Sequence, residues 1–122
     1  YNVFSVNTPM QYALADYLTD PTVYLELPEF YQRKRDFFLE ATAGSNLKPL
    51  LCEGTYFQLF DYSSVSALPD TEFCHWLTTE VGVAAIPVSA LYKSGKDSAV
   101  IRFCFAKTEG VLEKAGALLR EL

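Results

Sequence analysis

The run Val100-Ile101-Arg102-Phe103-Cys104-Phe105-Ala106 constrains this chain more than any other stretch. It is apolar except for Arg102, and it lies between a polar, glycine-containing segment, Lys93 to Ser98, and Thr108, a residue suited to capping a helix. A strand directs alternate side chains to opposite faces, so Ile101, Phe103 and Phe105 share one face and Arg102 and Cys104 the other. The first face belongs under helices. The second carries a guanidinium that cannot lose its charge, and burying it unpaired is costly, so Arg102 needs an anion or water. A carboxylate suits it best, because two oxygens match the bidentate guanidinium fork. Two structural readings stand beside a bound ligand: an Asp or Glu of the same chain, or a strand end from which Arg102 reaches solvent.

The rest of the chain alternates helices and strands without repeats or low-complexity segments. Thr8-Pro9-Met10-Gln11 reads as a capping box with Pro at the first helical position, opening a helix to about Leu18 that stops before Asp20-Pro21. A longer helix is expected from Pro28 to Ala43, with Phe30, Phe37, Phe38 and Ala41 inward and Gly44 as its stop. Its Arg33-Lys34-Arg35 cluster is a solvated helix face before it is a phosphate site. Lys48 to Cys52 and Tyr56 to Asp61 read as short strands, and Ser63 to Pro69 as a loop. Asp70 is placed to cap a helix through Val81 that closes at Gly82, with Phe73, Trp76 and Leu77 inward. Val83 to Ile86 is a strand whose pairing Pro87 ends, and Lys93 to Ser98 a mobile surface loop. The final helix after Thr108 carries an apolar stripe of Val111, Leu112, Ala115, Leu118, Leu119 and Leu122. This order defines an α+β domain, a short sheet covered on one side by helices and preceded by a helical segment.

Composition removes several functional classes. The chain has 122 residues, is 50% hydrophobic and carries a net charge of −5, so it holds one domain's worth of core and lacks the concentrated positive charge that nucleic acid or an anionic membrane surface requires. No apolar run approaches the roughly 20 residues of a membrane span. With one His and three dispersed cysteines, Cys52, Cys74 and Cys104, no metal site is expected. The cysteines read as buried, reduced thiols of a cytoplasmic protein. Cys74 and His75 are adjacent, and neighbours on a helix do not face each other, so they are not a nucleophile and its base.

The segment Val83-Ala84-Ala85-Ile86-Pro87-Val88-Ser89, followed by Arg102 and then Phe103-Cys104-Phe105-Ala106-Lys107, closely resembles the end of a class I/II, fold type I, pyridoxal-phosphate-dependent aminotransferase. Cys52-Glu53-Gly54-Thr55-Tyr56-Phe57 with Asp61-Tyr62-Ser63, the stretch Asp70 to Leu77, and the opening Phe4-Ser5-Val6-Asn7-Thr8-Pro9-Met10-Gln11 are similar to the methionine and kynurenine aminotransferase branch. The similarity covers essentially the whole chain.

The resemblance implies that residues 1–27 end a large domain and its interdomain helical segment, and that residues 28–122 form the two-layer C-terminal small domain. It implies a homodimeric enzyme that moves an amino group from an amino acid of methionine, aromatic or kynurenine type to a 2-oxo acid. Arg102 matches the residue that binds the substrate α-carboxylate. Phe4 matches an aromatic that reaches the neighbouring subunit's active site, and Tyr56 one near the same pocket; for both, an aromatic beside apolar neighbours is equally consistent with simple packing. The lysine that links to pyridoxal phosphate and the Asp that pairs with its ring nitrogen belong to the large domain, so no catalytic and no cofactor-binding residue is expected in this chain. Ser45-Asn46-Leu47-Lys48 has the spacing of that lysine motif but stands between Gly44 and Pro49 and reads as a turn. With no initiator Met, the chain is expected to be the inactive C-terminal piece of a longer polypeptide. A stand-alone carboxylate-binding module is the competing reading, and a cysteine-conjugate β-lyase a third within the same family.

Overall fold

A computed structural model describes residues 6–122. Phe4 lies outside the described residues. The chain divides into two compact units, one ending at Phe30 and the other running from Tyr31 to Leu122.

In the first unit, helix α1 spans Thr8–Tyr17 and α2 spans Thr22–Leu25. The expected capping box does not form: Asn7 is the cap residue without a side-chain hydrogen bond, and the Gln11 amide donates to the Val6 carbonyl at 2.7 Å. The helix thus starts at Thr8, the proposed cap itself, which moves Gln11 past the position from which it could reach back to the cap. Helix α2 was not legible as a helix. It is nucleated by the Asp20 carboxylate, which accepts from the Thr22 backbone N–H at 2.9 Å and its hydroxyl at 2.7 Å. Those two bonds hold the Asp20 carboxyl below its ordinary range.

Helix α3, Leu27–Thr42, leads into the second unit and ends at Gly44, whose φ of 91° is the left-handed conformation a helix stop favours. Strand β1 covers Lys48–Pro49, β2 Phe57–Asp61, β3 Ile86–Pro87 and β4 Val100–Cys104. They form one antiparallel sheet in the order β1-β2-β4-β3. Lys48, expected within a turn, is a strand residue at the sheet edge. Pro87 pairs with Ile101, so it lies within β3 instead of after it, as an edge strand allows.

One sheet face is the core. Phe60, Ile101, Phe103 and Phe105 are buried there, and Phe38 of α3 meets Phe60 and Phe103 edge-on, with ring centroids 5.9 Å away in each case. Gln58 is also fully buried on this face, its amide donating to the Leu50 carbonyl at 2.7 Å and extending the hold on the end of β1. Helix α5, Glu109–Leu119, buries Leu112, Gly116 and Leu119. Val111 and Leu118, expected in the same stripe, are 51% and 43% exposed and line a groove of about 580 Å³ along the edge of the core.

Helix α4, Asp70–Trp76, continues as a π turn over Leu77–Val81 and stops at Gly82, again with positive φ. Asp70 does not cap it. Pro69 occupies the cap position, and the Asp70 backbone N–H donates instead to Asp97 at 2.9 Å. The segment Lys93 to Ser98 is thereby anchored near its far end, at Asp97.

Candidate active site

Arg102 sits in the middle of β4, opposite Leu59 of β2 on one side and Ile86 of β3 on the other. A central position rules out escape past a strand end. The pleat puts Arg102 on the face opposite Ile101 and Phe103, together with Phe57 and Leu59. Its guanidinium carbon lies 4.0 Å from the centroid of the Phe57 ring. Phe57 is the diagonal cross-strand neighbour, within reach of a long side chain, and the stack fixes the plane of the fork.

No Asp or Glu of the described residues forms an ion pair with Arg102, and its buried Nε has no hydrogen-bond partner. A cation held on an aromatic platform with a buried donor unspent is an arrangement waiting for an anion. The space for one is present. An open cleft of about 500 Å³ is bounded by Arg102, Phe57, Leu59, Glu53, Leu91 and Tyr92 among others. Arg102 also borders the larger groove along α5, but Phe57 does not, so the stacked guanidinium end belongs to the smaller cleft.

The turn that carries Glu53-Gly54-Thr55 is tied down from two sides. Arg35 donates to the Cys52 carbonyl at 2.7 Å, and the Cys52 thiol donates to the Gly54 carbonyl at 3.0 Å. Lys34 donates to the Lys107 carbonyl at 2.7 Å. Two members of the basic cluster of α3, Lys34 and Arg35, thus fasten loops while Arg33 is exposed. Thr55 adopts a positive φ of 67° at this turn.

Tyr56 is 44% exposed, its ring 4.4 Å from Phe57 and 6.0 Å from Tyr31, and its carbonyl accepts from the Phe105 N–H at 3.0 Å. It stands next to the Arg102 platform without lining the cleft. Phe57 and Tyr92, which do line it, were not singled out from the sequence. Alternation within β2 puts Phe57 on one face with Leu59, but only the pairing register with β4 shows that this is the Arg102 face.

Of the three cysteines, expected to be buried, only Cys74 is; Cys52 and Cys104 are half-buried, and Cys52 lines the cleft. Cys74 is buried and its thiol is pushed up to about 12, by burial first and then by the carboxylates of Asp70 and Asp97. His75 beside it is exposed on α4, so the two do not face one another. All three cysteines are free, and no cluster of His, Cys, Asp and Glu among the described residues could hold a metal. No helix among them is long and apolar enough to cross a membrane.

The short sheet covered by helices that the resemblance implies is present, as a four-stranded antiparallel sheet. The model of the family "Aminotransferase class I and II" matches residues 1–118, and the chain belongs to that family. It is 54% identical to the methionine aminotransferase of Escherichia coli (strain K12) over 123 aligned residues, covering 100% of this chain and 32% of that protein. The kynurenine–oxoglutarate transaminase of Dictyostelium discoideum is 35% identical, over 94% of this chain and 32% of its own length. The crystal structure of YbdL from Escherichia coli, described as identifying a methionine aminotransferase function, matches with a TM-score of 0.92 at 54% identity, over 100% of this chain and 32% of that one. N-succinyldiaminopimelate aminotransferase from Mycobacterium tuberculosis matches with a TM-score of 0.81 at 29% identity, over 93% and 30%. The chain thus spans about a third of the length of the curated relatives it matches.

The family depends on pyridoxal phosphate, and the cleft residues do not fit that group unaided. Among the described residues, the cleft beside Arg102 is lined by no lysine that could link to an aldehyde.

Proposed function

We propose that this chain supplies the substrate-carboxylate side of an aminotransferase active site. The reaction transfers the amino group of a methionine-type, aromatic or kynurenine-type amino acid to a 2-oxo acid, in a cytoplasmic homodimer. Residues 1–27 are the end of the large domain and the interdomain helical segment, 28–122 are the small domain, and the lysine and pyridoxal phosphate belong to the rest of the large domain. Family membership supports this over a stand-alone carboxylate-binding module.

The observation that carries the reading is Arg102, stacked on Phe57 at the cleft with a buried Nε that no described residue satisfies. Its fork takes the two carboxylate oxygens, and the stack keeps the fork from turning as the substrate seats. Holding the carboxylate fixes the direction of the α-hydrogen, which is what a positioned base elsewhere in the site requires. The remaining lining is apolar at Leu59, Val88 and Leu91 and acidic at Glu53, a combination that suits an apolar side chain and repels a second carboxylate. Phe4 and Tyr56 are proposed contributors to the same substrate pocket, Tyr56 through its contact with Phe57.

In the whole protein that carries this chain, Arg102→Ala should lower kcat/KM for amino-acid donors by about ten- to a hundredfold, chiefly through KM, the expected loss for a charged hydrogen-bond pair. Arg102→Lys keeps the charge without the fork and should fall between. An Arg102→Ala variant with unchanged kcat/KM overturns the assignment.

A further inference from the structure

One wall of the cleft is the 3-10 turn Val88–Leu91 with Tyr92, directly after β3. Strand β3 is poorly equipped to hold that wall. It has two residues, it lies at the sheet edge, and Pro87 has no N–H to give to β4.

The turn is fixed from α4 instead. Asp70, 1% exposed, accepts from the Ser89 backbone N–H at 2.7 Å through Oδ2 and from the Ser89 hydroxyl at 2.6 Å through Oδ1. Asp70 is in turn held by its own N–H, which donates to Asp97 Oδ2 at 2.9 Å, while Asp97 Oδ1 accepts from the Ala99 N–H at 2.7 Å. Ala99 has a positive φ of 54° and immediately precedes β4. Both ends of the connection from β3 to β4 are therefore tied to the first turn of α4. A carboxylate buried for stability alone is a weak device, since desolvation offsets much of what its hydrogen bonds contribute. Direction is what it supplies: two bonds from one residue to both oxygens leave the turn a single orientation.

We propose that Asp70 is a positioning residue for substrate selection, acting through Ser89 to set Val88, Leu91 and Tyr92 against Arg102. A bound amino acid then has its carboxylate held by Arg102 while its side chain meets a wall of fixed shape. The inference rests on the carboxylate-binding role of Arg102.

The test measures kcat/KM for methionine and for alanine, donors with the same carboxylate and different side chains, in the whole protein that carries this chain. Asp70→Ala removes both acceptors of the Ser89 bonds, and Ser89→Ala removes the hydroxyl while leaving the backbone bond. Both should lose about tenfold more on methionine than on alanine, and Ser89→Thr, which keeps both donors, should restore the ratio. Equal losses on the two donors, or none, overturn the proposal. If Asp70→Ala does not fold, the milder Ser89→Ala decides by the same ratio. Failure of the underlying reading is separate, since it shows as an Arg102→Ala variant active on both donors.

Discussion

Tyr62 and Cys74 are both buried in the core and both resist giving up a proton. The Tyr62 ring stacks on Phe73 at 4.2 Å and its hydroxyl donates to the Leu68 carbonyl at 2.8 Å. Burial, then the nearby carboxylates of Asp97 and Asp70, push the phenol from 10.0 up to about 12, and the Cys74 thiol rises from 9.0 to about 12 for the same reasons. The unfolded chain releases both protons at the lower values, so it binds fewer protons than the folded chain between them. Stability from these groups is fully present below pH 9 and is lost as pH rises toward 12. Urea denaturation across that range should show a midpoint that falls with pH, and Tyr62→Phe and Cys74→Ala together should flatten the fall. A wild-type midpoint that stays level from pH 9 upward would contradict the burial assigned to both groups.

Helices α3 and α5 cross where Gly116 meets Ala41, and the contact leaves no room for a side chain. A Cβ built on Gly116 would lie 2.7 Å from the Ala41 Cβ and from its carbonyl carbon. Arg120 of the same helix end also donates to the Ala41 carbonyl, so that backbone cannot withdraw freely. Two effects of Gly116→Ala oppose each other. Helix propensity favours Ala by about 1 kcal/mol, whereas overpacking costs about 1–3 kcal/mol and more where backbone must move. The clash should win, with a net loss of about 1–2 kcal/mol in chemical denaturation; a variant more stable than wild type would show that the helices do not cross this closely. This contact also marks what the sequence could and could not disclose. The period-2 pattern of Val100 to Ala106 correctly separated Ile101, Phe103 and Phe105 from Arg102. Glycine stops at Gly44 and Gly82 were legible because the left-handed conformation has a local chemical signature. Gly116 had none, since its need for space is set by a helix far away in sequence. The same holds for Phe57 under Arg102, for Asp97 in place of Asp70 at the start of α4, and for Asp70 on Ser89. The strands came out shorter than their apolar runs, because pairing partners and not side-chain character decide where a ladder ends.

At the scale of the molecule, apolar surface is distributed very unequally between the two units. The second unit has a shared aromatic core, whereas α1 buries none of its residues and exposes Met10, Tyr12, Leu14 and Tyr17, with Val6 just ahead of it. A helix with so much exposed apolar side chain and no basic residue in its last turn gains little from its own sequence and depends on packing for stability. In the proposed enzyme that packing is supplied by the large domain and the second subunit. When the chain is produced by itself, the same side chains should drive association instead, because contiguous apolar patches beyond a few hundred Å² are seldom left in water by monomeric proteins. Sedimentation of the isolated chain should therefore give species heavier than the 13.7 kDa monomer, increasing with concentration. Replacing Met10, Leu14 and Tyr17 with Gln should shift the population toward the monomer while leaving the denaturation midpoint of the second unit in place. A wild-type chain that sediments as a monomer at all concentrations would mean that α1 finds cover within the chain, and the interdomain role proposed for residues 1–27 would lose its physical motive.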